Sequence, residues 1–184
     1  MLANIHATCI MIGGAGLPFG TSPECGVLLL GESGSGKSDL ALRLIERGAH
    51  LVSDDRTELF LHDGLLHAQP PLNIRGLLEV RGVGVLSIGH RAPAKLALAV
   101  VLRRDDPPPR LPEPEWYQPP QVLASSCKMR IPLLRLDPFA HAATAKLIAA
   151  AGAYTLSRLR DGRTPEHPPA ELVVTSVPCF RKTG

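Results

Sequence analysis

The chain has 184 residues, 45% hydrophobic and 20% charged, which suits one globular domain with a single core; at 4% aromatic that core must be largely aliphatic. The net charge of +3 is small and spread without basic runs interleaved with aromatics, which argues against nucleic-acid binding. Cys9, Cys25, Cys127 and Cys179 form no Cys-x-x-Cys pair, so a zinc site is not expected, and reduced thiols are. No basic-then-apolar leader opens the chain, and its longest aliphatic run, Leu96 to Leu102, falls far short of the ~20 residues that span a bilayer. A cytoplasmic protein without a membrane partner is the expectation.

In chain order, Ile5 to Ile12 reads as a strand and Gly13 to Gly26, rich in Gly, Pro and Ser, as a loop. Val27 to Leu30 is an apolar run between glycines, the pattern of a strand buried on both faces. Gly31 to Lys37 is a turn, and Ser38 to Arg47 a helix with Leu40, Ala41, Leu44 and Ile45 on one face and Gly48 as its stop. Leu51 and Val52 begin a strand that ends at Ser53-Asp54-Asp55. Glu58 to Ala68 predicts a hairpin around Asp63-Gly64. Leu77 to Ile88 alternates apolar residues with Gly, Glu and Arg; Leu96 to Leu102 is another buried strand. Asp105 to Pro120 is crowded with proline and predicts an irregular loop. Ile131 to Leu136 closes the strands. Pro138 to Ala151 predicts a helix with Asp137 as N-cap and Pro138 at its first position. The expected division is a catalytic domain over 1–154 and a tail over 155–184. The fold class expected is α/β, a P-loop domain with a mixed, largely buried sheet flanked by helices.

Gly31-Glu32-Ser33-Gly34-Ser35-Gly36-Lys37-Ser38 fits the Walker A pattern at every fixed position, between a buried strand and an amphipathic helix. Glycines let the backbone curl its N–H groups around an anion, and the helix N-terminus adds partial positive charge. Lys37 then reaches the β- and γ-phosphates of ATP, and the Ser38 hydroxyl ligates Mg²⁺. Asp54 and Asp55 end the neighbouring strand, where a carboxylate supports the metal and a second can take a proton from an attacking hydroxyl. A solvated strand end is the plainer reading of such acids. In Leu78-Glu79-Val80-Arg81-Gly82-Val83-Gly84-Val85, Glu79 and Arg81 are expected on one side of a strand, as a further metal ligand and a phosphate contact or as a surface ion pair. His6 alone reads as a structural histidine.

Taken together, the run from Gly31 through Asp39-Leu40-Ala41-Leu42, Ile45-Glu46-Arg47-Gly48 and Leu51-Val52-Ser53-Asp54-Asp55-Arg56, with Leu78 to Gly84, resembles the catalytic domain of HPr kinase/phosphorylase, in a short form. The likeness is continuous from about His6 to Gly89 and thinner to about Ala151. It implies a bacterial serine protein kinase whose partner is HPr, the phosphocarrier of the sugar phosphotransferase system, or a paralogue. It also implies phosphorolysis of the phosphoserine by inorganic phosphate, and assembly into homo-oligomers, hexamers in the family. By the resemblance, residues 31–38 bind ATP, Ser38 and Glu79 bind Mg²⁺, Asp55 is the proton acceptor, His6 is an active-site histidine, and Arg110, in Arg110-Leu111, is the arginine of a catalytic loop. Asp39 stands where glutamate is usual, and Leu134 to Pro138 where an Arg-Pro-Gly-Arg-like pattern tied to dephosphorylation is usual. Two rivals share the P-loop: a small-molecule kinase of the shikimate or gluconate kind, which needs a compact pocket and lid arginines, and an ATP-binding sensor without chemistry, which needs no second aspartate.

Overall fold

Strand-forming segments outnumber helical ones in this sequence, and the strands find each other mostly across long separations. The computed structural model describes residues 1–14, 22–104, 110 and 113–161. The chain opens with β1 (Leu2–His6) and β2 (Thr8–Gly14), then β3 (Ser22–Leu30), helix α1 (Lys37–Ile45) and β4 (His50–Ser53). The hairpin β5 (Arg56–His62) and β6 (Leu65–Gln69) leads through a 3₁₀ turn at Leu72–Ile74 to a second hairpin, β7 (Leu77–Val80) and β8 (Gly84–Ser87). Next come β9 (Ala94–Leu102), β10 (Glu115–Tyr117), the short helix α2 (Gln121–Ala124), β11 (Ile131–Leu136) and α3 (Ala143–Asp161).

The main sheet runs β1-β5-β6-β9-β3-β2-β4, with β11 beside the second half of β9 and β10 beyond it. β3 pairs with β9, and β9 with β11, in parallel; the other pairs of this sheet are antiparallel. The sheet is therefore mixed, as expected. The carboxyl ends of β3, β9 and β11 all point to one edge. In open α/β sheets that edge is where ligands bind.

Strands β3 and β9 are apolar on both sides because both faces are covered. Val27, Leu29, Leu98 and Val100 pack with Leu40, Ala41 and Leu44 of α1 and Leu147, Ile148 and Ala151 of α3. Leu28, Leu96 and Ala99 face a second cluster with Leu59, Leu66, Leu123 and Ile131. Helix α1 ends as predicted: Gly48, at φ +94°, donates to Ile45 O, and Ala49 to Leu44 O, the paired bonds of a Schellman turn. The β5–β6 turn also matches, with Asp63 at φ +54° and Gly64 at φ +80°, the left-handed pair a two-residue hairpin requires.

Several expectations shift. The single strand expected over Ile5 to Ile12 is two, broken at Ala7, because β1 pairs with β5 whereas β2 pairs with β3 and β4. The loop expected over Gly13 to Gly26 is largely strand, β2 reaching Gly14 and β3 starting at Ser22; residues 15–21 lie outside the described residues. Strand β10 forms inside the proline-rich segment, held to β11 by register and by a two-pronged Arg135–Glu115 ion pair (2.9 and 2.7 Å). Helix α3 starts at Ala143, not Pro138, since the Asp137 carboxylate accepts from Phe139 N–H (2.9 Å) in a separate turn. It continues to Asp161, across the expected boundary at 154, and residues 162–184 lie outside the described residues.

Candidate active site

The P-loop leaves the carboxyl end of β3 and enters α1. Three of its glycines have positive φ: Gly31 (+153°), Gly34 (+79°) and Gly36 (+90°). A Cβ at Gly31 would lie 2.5 Å from Ser35 Oγ, a buried hydroxyl without a partner, and one at Gly36 would lie 3.0 Å from Phe139 Cζ. One side of the loop is thus packed, against its own Ser35 and against Phe139. The first N–H groups of α1, at Lys37, Ser38 and Asp39, have no intrahelical acceptor and remain for an anion.

Lys37 is only 6% exposed. Its Nζ donates to Gly31 O and Glu32 O, both at 2.8 Å, and lies 3.0 Å from His6 Nε2. An ammonium can only donate, so Nε2 of His6 accepts and the ring proton sits on Nδ1. That N–H faces Asp55 O at 2.9 Å and Asp55 Oδ1 at 3.2 Å. Burial pulls the Lys37 pKa below the ordinary lysine value, and the charges of Asp54 and Asp55 partly offset that pull.

The two aspartates have opposite surroundings. Asp54 is 4% exposed. Its Oδ1 accepts from Thr8 Oγ1 (2.7 Å) and Ser38 Oγ (3.0 Å), and its Oδ2 from Glu79 N–H (3.1 Å). Asp55 follows in a three-residue turn in which Arg56 N–H donates to Asp54 O (2.7 Å), with Asp55 between them at φ +61°. A non-glycine residue in that conformation costs of order 1 kcal/mol or more. The turn aims an exposed carboxylate outward beside His6.

A cleft of about 310 Å³ collects these groups; His6, Lys37, Ser38, Asp54, Asp55, Glu79 and Arg81 line it, with Ser33, Gly34 and Gly36 of the loop. Of the residues singled out in the sequence, Gly31, Glu32 and Ser35 shape the loop without lining the cleft. Arg110 does not line it either: it is exposed, and residues 105–109 and 111–112 on either side lie outside the described residues. Arg81 reaches the cleft from a turn, because β7 ends at Val80 and Val83 N–H closes onto Val80 O (2.9 Å). Two contributors carried little sequence signal. Thr8 reads as an ordinary β-branched strand residue, yet its hydroxyl fixes Asp54. Phe139 lies about a hundred residues beyond the loop whose edge it forms.

Ser38 Oγ and the Asp54 carboxylate are bonded to each other at the cleft, and Glu79, whose N–H bonds Asp54, lines it as well; these are hard oxygen donors of the kind Mg²⁺ prefers. Among the described residues, no three His, Cys, Asp or Glu side chains converge into a group that could hold a metal ion.

Residues 21–92 match the family profile described as the HPr Serine kinase C-terminal domain. An HPr kinase/phosphorylase of Clostridium novyi is 46% identical over 79 residues, 43% of this chain and 24% of the relative. One of Neisseria meningitidis is 50% identical over 68 residues, 36% of this chain and 21% of the relative. The matches thus span under a quarter of these relatives' length. The solved Hpr(Ser) kinase/phosphatase from Coxiella burnetii superposes with a TM-score of 0.61 at 20% identity, covering 86% of this chain and 96% of that one, which speaks for the fold. The resemblance to HPr kinase/phosphorylase therefore stands over the P-loop region, and the α/β class with it. No helix among the described residues is long and apolar enough to cross a membrane.

Proposed function

We propose that this protein, whose P-loop region resembles HPr kinase/phosphorylase, is an ATP- and Mg²⁺-dependent kinase of a serine on an HPr-type phosphocarrier, its catalytic unit reaching at least to the end of α3 at Asp161. The observation that carries the reading is the pairing of two unlike aspartates beside one P-loop: a buried one bonded to Ser38 and an exposed one bonded to His6.

The cradle N–H groups, the α1 N-terminus and Lys37 bind the β- and γ-phosphates of ATP and meet the charge that spreads over the transferring group. Ser38, oriented by Asp54, and Glu79 would hold Mg²⁺, which neutralises phosphate charge when bound. The serine hydroxyl attacks the γ-phosphorus in line, and Asp55 takes its proton; the leaving group is ADP. His6 Nδ1–H holds the Asp55 carboxylate in place. Arg81 on the cleft wall supplies positive charge toward the transferred phosphate. Read in reverse, a protonated Asp55 returns its proton to the serine while inorganic phosphate takes the phosphoryl group, giving pyrophosphate. Arg135, in the segment the family ties to that reverse reaction, is engaged with Glu115.

The test is transfer of label from γ-³²P-ATP to purified HPr-type carriers. Wild-type protein should label a serine, and Asp55→Asn should lose ~10²-fold or more in turnover, the scale of a general base. Undiminished turnover in Asp55→Asn would remove Asp55 from the reaction. Absence of any labelled carrier, with ATP still bound, would turn the reading toward a small-molecule kinase or a nucleotide sensor.

A further inference from the structure

At the rim of the cleft, beside Gly36, stands an aromatic residue that the phosphate chemistry does not use. Phe139 lines the cleft yet is 46% exposed, unusual for a phenylalanine in a chain whose other core-size side chains are mostly buried. Its ring is fixed. The ring tip abuts Gly36, where a Cβ would come within 3.0 Å of Cζ. The Arg104 guanidinium lies over the ring face at 4.7 Å from its centroid. The preceding Pro138 carbonyl accepts from Arg43 Nη2 (2.6 Å), and the same nitrogen holds Asp39 Oδ2 (2.6 Å), so the turn is tied to the first turns of α1. Phe139 N–H is held in turn by Asp137.

The position within the fold matters as much. Arg104 follows the carboxyl end of β9, and Phe139 that of β11, the two strands continuing the parallel set from the P-loop strand β3. Asp54 and Asp55 follow β4, on the other, antiparallel side of β3, and His6 at the end of β1 meets Asp55 there. The P-loop lies between the two sides. A triphosphate whose reacting end meets Asp55 must therefore send its other end toward β9 and β11. An aromatic ring stacked on a planar guanidinium is the surface to which a nucleobase adheres.

We propose that Phe139 and Arg104 form the base-stacking platform of the nucleotide site, taking the purine ring of the triphosphate whose phosphates occupy residues 31–38. The inference rests on the kinase reading for the presence of a nucleotide, and adds which residues hold its base. Stacking reads a π-face and not a hydrogen-bonding edge, so the platform accepts adenine and guanine alike.

Calorimetric titration with ATP and, separately, with inorganic tripolyphosphate, both with Mg²⁺, tests it. Phe139→Ala should bind ATP roughly 5- to 150-fold more weakly, the range of base–aromatic stacking, while tripolyphosphate affinity is unchanged. Phe139→Trp should restore or tighten ATP binding, and thermal unfolding should show both variants folded. Two results overturn the platform: wild-type ATP affinity in Phe139→Ala, or an equal loss for both ligands, which would make the ring a mere buttress of Gly36. Wild-type protein that binds neither ligand would instead sink the kinase reading, and this inference with it.

Discussion

Replacing Thr8 by valine tests whether the Asp54 carboxylate is held by the strand beneath it. Valine has nearly the shape of threonine but cannot donate. Thr8 is fully buried and Asp54 is 4% exposed, so water cannot take the hydroxyl's place without opening the sheet. The lost bond, 2.7 Å to an ionised acceptor, belongs to the charge-assisted class worth about 1.5–3 kcal/mol. For a chain of this size that corresponds to a fall in Tm of roughly 3–12 °C. Thr8→Ser keeps the donor and loses one buried methyl, about 1 kcal/mol. Urea unfolding of the two variants separates the terms. A double-mutant cycle with Asp54→Asn isolates the pair, and there the Thr8→Val cost should shrink to under about 1 kcal/mol. Two outcomes refute the reasoning: Thr8→Val costing no more than Thr8→Ser, or an undiminished cost in the Asp54→Asn background.

Other consequences are open to measurement. Gly36→Ala combines a left-handed φ of +90° with a Cβ 3.0 Å from Phe139 Cζ, so ATP affinity should drop at least about tenfold by calorimetry, equivalent to about 1.4 kcal/mol. The two tyrosines of the chain, Tyr117 and Tyr154, are both pushed up to about 12 by burial; tyrosinate absorbance should stay flat past pH 10.0 in folded protein and rise near that pH in urea. Lys37 binds its proton less tightly folded than unfolded, so between its lowered pKa and 10.5 the unfolded chain carries more protons and stability rises with pH. Lys37→Met should abolish that rise in unfolding free energy. ATP binding, which needs the charge, should weaken across the same window.

What could be read in the sequence was what is decided locally. The P-loop, the stop at Gly48 and the Asp63-Gly64 turn each rest on a few adjacent residues with special φ, and each is found in place. The apolar runs in β3 and β9 announced burial on both faces. The break at Ala7 could not be read, because Ile5 to Ile12 is continuously strand-like and the break comes from β1 and β2 serving different neighbours. A Thr57 hydroxyl, donating to Ala7 O from 50 residues away, marks the spot. Strand β10 depends on β11 and on Arg135, neither visible from within a proline-rich segment. The start of α3 turned on a competition the sequence leaves open: an aspartate before Pro-Phe can cap a helix or close its own turn, and here it closes the turn.

The same distinction decides the chemistry of the acid pair. Asp54 and Asp55 are identical and adjacent, and composition alone offers no reason to give them different work. The backbone supplies one. With Asp54 in line with β4, its carboxylate points under the P-loop, where two hydroxyls and a backbone N–H already use both oxygens. A carboxylate so occupied orients Ser38, and its burial makes each of those bonds costly to lose. At φ +61° the next residue leaves the strand, and its carboxylate emerges with one oxygen beside His6 and its remaining lone pairs toward the cleft. The turn at Asp55 thus divides the pair into a buried carboxylate bonded to Ser38 and an exposed one beside His6, whose Nδ1 lies 2.9 Å from Asp55 O and whose Nε2 lies 3.0 Å from Lys37 Nζ.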